Sequence, residues 1–144
     1  MNIFNVASEE LEHTVLSASP TRLVVMTYDG AIKCLESSID MIGKGDIEGR
    51  WRSVEKATDL ISDLYMNLDH DQGGEVAQNL GCLYGFILSH LPRINFYNDK
   101  QTALDAISIL KRLRDSFDEL DHQIAANADV AFSGSSGANA SVAL

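Results

Sequence analysis

Proline and cysteine each occur only twice in 144 residues, tryptophan once, and lysine plus arginine together number 11 against 21 aspartates and glutamates. Each shortage excludes something. Cys34 and Cys82 stand alone in apolar helical patterns, with no C-x-x-C and no Cys/His pairing at ligand spacing, so the sequence predicts reduced thiols rather than a disulfide framework. With a formal charge of −10, the chain lacks the basic surface that displaces counterions from phosphate. Its tightest basic group, Lys111, Arg112 and Arg114, is interleaved with Asp115, Asp118 and Glu119 and reads as a solvated helix face, so nucleic acid is not an expected partner. No uninterrupted apolar run reaches about 18 residues, and no basic stretch precedes an apolar one at the N-terminus. The expectation is a soluble, cytoplasmic protein with neither signal peptide nor membrane insertion.

What is present is apolar helix. The chain is 45% hydrophobic, and at this length a single domain buries roughly 70% of its unfolded surface, enough for one core without staples. Apolar residues recur every three or four positions and strand-like alternation is nearly absent, which predicts an all-α chain. Ser19 can cap a first helix with Pro20 at its first position; Val24, Tyr28, Ala31, Leu35 and Ile42 share a face, and Gly43-Lys44-Gly45 supplies the stop. Asp46 caps a second, with Ile47, Trp51, Val54, Thr58, Ile61, Tyr65 and Leu68 as its seam. A third follows the break Asp69-His70-Asp71-Gln72-Gly73-Gly74, with Val76, Leu80, Leu83, Ile87 and Leu91 on its buried stripe and Pro92 bending or ending it. Asn98 or Asp99 caps a fourth, seamed by Ala103, Ala106, Leu110, Leu113, Phe117, Leu120 and Ile124. Four such helices with short breaks favour an antiparallel up-down-up-down four-helix bundle over residues 19–124. Residues 1–18 form a short N-terminal segment whose small apolar set, Ile3, Phe4, Val6, Leu11, Val15 and Leu16, either docks on the bundle or stays loose. Residues 125–144, rich in Ala, Ser, Gly and Asn, carry too little apolar surface to offset ordering entropy and read as a disordered tail.

Chemistry is poorly signalled. Two Glu-x-x-His strings, Glu10 to His13 and Glu119 to His122, evoke the di-iron bundles, but the seam through Phe117, Leu120 and Ile124 turns Glu119 and His122 outward, and the other string precedes the bundle. Asp69-x-Asp71-x-Gly73 resembles the start of a calcium loop, yet its twelfth position is Leu80 where a bidentate glutamate is needed. Capping and turn formation explain the loop better. No nucleophile motif, phosphate cradle or cofactor fingerprint accompanies the serines, cysteines or histidines. No enzyme activity, cofactor or metal is expected, a metal-binding four-helix bundle being the remote alternative.

The sequence offers more hydrophobic helix surface than one seam per helix requires: Leu23, Met26 and Ile32 on the first helix, Ala57, Leu60 and Leu64 on the second, Ala77, Tyr84 and Leu88 on the third, which has no charge between Val76 and His90. Wide buried faces are one explanation. The other is a groove that accepts an amphipathic helix from a partner.

The run Ser17-Ala18-Ser19-Pro20-Thr21-Arg22-Leu23-Val24-Val25-Met26-Thr27-Tyr28-Asp29-Gly30-Ala31-Ile32 resembles the T-A-S-P-x-x-L-V-x-M-L-Y-D-G-A-I signature of the flagellin-specific export chaperones, the FliS family. Leu68-Asp69 before Gly73-Gly74, Val76-Ala77, Asn79-Leu80, Leu83-Tyr84, Asn95 and Leu113-Arg114 extend the likeness over residues 15–120. Thr27 departs from the usual leucine, Pro92 from the usual third helix, and Phe4 is the only aromatic before Tyr28, where the family has a tyrosine. The resemblance implies a non-enzymatic, cytoplasmic bundle, monomer or weak homodimer, that binds the disordered C-terminal segment of flagellin, prevents premature polymerisation, and meets flagellar export-gate components on delivery. A chaperone or adaptor for a different secreted client is the alternative. Under that implication, Ala57, Leu60, Leu64, Ala77, Tyr84 and Leu88, which flank the seams, are the expected partner-binding residues, with the Tyr84 hydroxyl free to meet a client backbone group.

Overall fold

The computed structural model describes residues 18–133, with side chains through residue 130. Its elements are α1 (Pro20–Lys44), α2 (Ile47–Met66), α3 (His70–His90), the short α4 (Pro92–Tyr97) and α5 (Lys100–Ser133). Four long helices run up, down, up and down, as the periodicity predicts, and no strand occurs among the described residues. The segment 1–17, including Ile3, Phe4, Val6, Leu11, Val15, Leu16 and the Glu10/His13 string, lies outside the described residues. The fourth long helix continues to Ser133, so residues 125–133, expected in the tail, are helical instead. Ala125, Ala126, Ala128 and Ala131 supply helix propensity there without a core to bury. Residues 134–144 lie outside the described residues.

Each helix starts and stops where local chemistry dictates. The Ser19 hydroxyl accepts the Arg22 N–H at 3.1 Å, Pro20 occupies the first turn, and α1 ends with Gly45 in the left-handed region and the Asp46 N–H bonded to the Met41 carbonyl at 2.9 Å. Asp46 caps α2 through the Gly49 N–H, Asp69 caps α3 through the N–H groups of Asp71 and Gln72, and Asp99 caps α5 through Thr102 N–H. Gly74, at φ 50° and ψ −124°, breaks α3 after its first turn, a conformation costly to any residue with a Cβ. That is the turn-forming role expected of the Asp69 loop. Pro92 ends α3 rather than bending it, and α4 follows on Leu91.

The core gathers Tyr28, Leu35, Val54, Ala57, Ile61, Tyr84, Ile87, Leu91, Ile94 and Leu110. α1 packs closely along both α2 and α5, α3 leans on α2, and α3 makes few close approaches to α5. The bundle is therefore tight along both sides of α1, looser between α2 and α3, and loosest between α3 and α5. Asp29-Gly30, inexplicable from sequence, falls on the tight seams: a Cβ on Gly30 would meet Leu60 Cδ1 at 3.2 Å, so glycine lets α1 and α2 approach, while Asp29 accepts from Arg114 Nη1 at 3.2 Å across the α1–α5 seam. The same seam carries Arg22 to Asp118 and Asp121, and Lys111 to Glu36, charges spaced a heptad apart on α1.

Two buried stripes are turned from the expected ones. On α2 the core face is Val54, Ala57, Ile61 and Leu64, with Ile47, Trp51 and Tyr65 exposed, Trp51 at 46%. Trp51 packs edge-on against Phe96 at 5.8 Å, outside the bundle. On α3 the core face is Ala77, Tyr84 and Ile87, while Val76 is 63% and Leu83 37% exposed. The physical reason is the Tyr28–Tyr84 pair: their hydroxyls hydrogen-bond each other inside the core, which satisfies both polar atoms and lets the larger ring occupy the inward position. At the opposite end, buried Arg50 donates to the Asn95 side chain and carbonyl and to the Asn98 side chain, tying α2 to α4 and to the left-handed Asn98.

Candidate functional site

A cavity of about 370 Å³ opens at the end where α1 and α3 begin and α2 finishes. Its position follows from the caps. Ser19-Pro20 sets the start of α1 beside Leu68, and the Gly74 break separates the capped first turn of α3 from the stretch that carries Val76, Ala77 and Leu80. α1 contributes Pro20, Leu23, Val24 and Thr27; α2 contributes Leu64 and the turn after it Leu68; α3 contributes Val76, Ala77 and Leu80. Tyr84 and Phe117 complete the wall, and Tyr28 stands behind them, its ring 5.6 Å from that of Phe117 and 6.4 Å from that of Tyr84. Asp63 is the one charged residue in this lining. A concave, largely apolar site of this size sits near the lower end of the about 300–1,000 Å³ typical of binding pockets.

Electrostatics at the mouth come from paired and unpaired groups. Asp121 accepts from the Ser19 hydroxyl at 2.6 Å, the Thr21 hydroxyl at 2.8 Å and Arg22 Nε at 3.0 Å, fixing the first turn of α1 to α5. The Ser19 hydrogen bond foremost, then Thr21 and Arg22, hold the Asp121 carboxyl below the usual carboxylate range. Burial pushes the Tyr28 and Tyr84 phenols up, so both are neutral and one hydroxyl donates to the other. Burial likewise raises the Cys34 thiol, which removes nucleophilic character, whereas Cys82 is exposed on α3.

Of the six residues expected to bind a partner, Leu64, Ala77 and Tyr84 line the cavity. Ala57 is fully buried behind it, and Leu60 and Leu88 are half-buried against the core. The Tyr84 hydroxyl is not free to meet a client, because it bonds to Tyr28 and the residue is 1% exposed. Pro20, Val24, Thr27 and Phe117 are wall residues that the sequence did not single out for binding. Val76 and Leu80, read as core, are partner-facing candidates instead; the signal was available in the absence of charge from Val76 to His90, which leaves α3 apolar on more than one side. Glu119 and His122 face solvent, as the α5 seam requires, and no group of three or more His, Cys, Asp or Glu among the described residues is arranged to hold a metal. No described helix is long and apolar enough to cross a membrane.

An apolar concavity beside the exposed Val76 and Leu83 has the shape and polarity to receive the apolar face of an amphipathic helix. Residues 4–124 match the family described as Flagellar protein FliS. The chain is 30% identical over 115 residues to the flagellar secretion chaperone FliS of Salmonella typhimurium, covering 79% of this chain and 85% of that one. It is 32% identical over 104 residues to the flagellar secretion chaperone FliS of Vibrio cholerae (72% and 76% covered) and 24% identical over 117 residues to that of Bacillus subtilis (81% and 86% covered).

Proposed function

The chain belongs to the FliS family of flagellar proteins, and we propose that it is a cytoplasmic export chaperone that binds the disordered C-terminal segment of flagellin, prevents premature polymerisation and supports delivery to the flagellar export apparatus. The observation that carries this reading is the apolar cavity beside an uncovered apolar stripe, Val76 and Leu83, on a helix free of charge from Val76 to His90. Exposed apolar surface of this kind is retained where a partner covers it. A segment that is unfolded until it binds gains helix and apolar burial together, and its ordering cost keeps the complex releasable. Leu64, Ala77 and Tyr84 act as the cavity wall against which the client packs, while Ala57, Leu60 and Leu88 support that wall from the core side. The role is non-enzymatic, in keeping with the chaperone names of the relatives.

Titration calorimetry of the purified chain with the C-terminal segment of flagellin from the same organism tests the reading, with a scrambled segment as control. The expected result is saturable one-to-one binding with a negative heat-capacity change from apolar burial. Absence of heat at tens of micromolar, at two temperatures, assigns the cavity to a different secreted client.

A further inference from the structure

The negative charge of this protein is not spread evenly. Residues 59–80 and 113–130, which with the start of α1 surround the cavity end, hold ten aspartates and glutamates. Only two lysines or arginines, Arg22 and Arg114, stand against them once residues 18–27 are included. Both are already committed, Arg22 to Asp118 and Asp121, Arg114 to Asp29 and Asp115. The opposite half, residues 28–58 and 81–112, holds nine lysines and arginines against eight acids. The excess charge therefore collects around the apolar cavity. Four of these acids, Asp59, Asp63, Asp71 and Glu75, are exposed and have no ion-pair partner among the described residues, and Asp63 is itself part of the cavity lining.

From this complementarity we infer that the cavity end is an acidic funnel selecting one class of occupant: an amphipathic helix whose apolar anchors are flanked by lysine or arginine. The inference rests on the reading of the cavity as a client-helix site and specifies which helices it accepts. Apolar anchors alone discriminate poorly among amphipathic segments, since any leucine-rich face buries similar area; a ring of unpaired acids adds a repulsive element against acidic helices and steers basic ones in. The same field acts against two occupants supplied by the chain itself. Residues 1–17 carry Glu9, Glu10 and Glu12 and no lysine or arginine, and a second copy would bring its own acidic end.

The test uses the full-length chain and two synthetic helical peptides with the same leucine face, one bearing lysine and the other glutamate at its flanking positions. Affinities are read by fluorescence anisotropy at about 10 mM and about 150 mM salt, where the screening length falls from about 30 Å to about 8 Å. At low salt the lysine peptide should bind about tenfold tighter, as three or four exposed charge pairs can supply, and the advantage should shrink to about twofold at the higher salt. Asp59→Lys with Glu75→Lys should reduce or invert the preference, and Val76→Asp should weaken both peptides. Equal binding of the two peptides at both salts overturns the funnel and leaves the groove reading standing, whereas binding of neither overturns both. Salt-dependent self-association without peptide assigns the cavity to a second copy and also overturns the inference.

Discussion

Replacing Tyr84 with Phe tests the central feature of this core, because the two tyrosine hydroxyls have each other as their hydrogen-bond partner. Tyr28 and Tyr84 are 0% and 1% exposed, and neither hydroxyl has another hydrogen-bond partner among the described residues. Burial keeps both phenols protonated, so the bond is a neutral one whose net worth is about 1 kcal/mol. The cost of breaking it is larger than its worth. Either Tyr28→Phe or Tyr84→Phe removes one partner and leaves a buried hydroxyl unpaired, which destabilises by about 1–3 kcal/mol. The double variant removes both polar atoms and keeps the rings, including the Tyr28–Phe117 contact at 5.6 Å, so it should lie within about 1 kcal/mol of the parent. Urea unfolding followed by far-ultraviolet circular dichroism measures all three, with the slope on urea unchanged if the folded and unfolded ensembles are comparable. The decisive quantity is the coupling energy, which should exceed the roughly 0.3–0.5 kcal/mol scatter expected of independent sites. Two neutral single variants, or a double variant equal to the sum of the singles, would refute the buried pair. Client binding supplies an independent check, since an inward hydroxyl predicts that Tyr84→Phe binds within twofold of the parent, and a tenfold loss would return the hydroxyl to the cavity surface.

Gly30→Leu should push α1 from α2, because even a Cβ there would sit 3.2 Å from Leu60 Cδ1; overpacking of this kind costs about 1–3 kcal/mol, read as a fall in Tm of a few degrees per kcal/mol. Asp121 contributes to acid sensitivity with a definite sign. Its carboxyl is held below the unfolded value of about 3.9, so the stabilisation is complete above that value and is lost as pH falls through the lower folded one. Asp121→Asn should therefore be less stable at pH 7 and converge with the parent as pH falls through the lowered Asp121 value in thermal melts. Val76→Asp should weaken client binding at least tenfold while shifting stability by no more than about 0.5 kcal/mol, as an exposed substitution does. Leu64→Asp, in the buried wall, should instead show its main effect as loss of the cooperative unfolding transition.

Much of the bundle was legible because its punctuation is local. Ser19-Pro20, Asp46, Asp69, Gly74, Pro92 and Asp99 act within one turn of chain, so the residues beside them decide the outcome and tertiary structure only ratifies it. Asp29-Gly30 could be seen but not explained, since its cause lies in Leu60 and Arg114, on two other helices. The continuation of α5 to Ser133 was missed for a different reason: the absence of core-forming residues was read as absence of helix, although alanine favours helix without burial.

The rotation of α2 and α3 about their axes was not legible, and the reason bears on function. Periodicity reports that an apolar face exists; it reports which face is inward only when there is one. α3 has two. Val76, Leu80, Leu83 and Ile87 make the longer and more regular stripe, whereas Ala77, Tyr84 and Leu88 make a stripe that is poorer in aliphatic surface and contains a hydroxyl. Hydrophobicity alone ranks the first as core. The fold instead buries Ala77, Tyr84 and Ile87, because Tyr28 stands opposite Tyr84 and satisfies its hydroxyl, a pairing that joins residues 56 positions apart. With Tyr84 inward, Val76 and Leu83 remain exposed. The regular hydrophobic pattern of the third helix is thus split: Ile87 serves the core while Val76 and Leu83 stay exposed, and a helix with two apolar faces is what a bundle needs if it is to stay folded while one face waits for a partner.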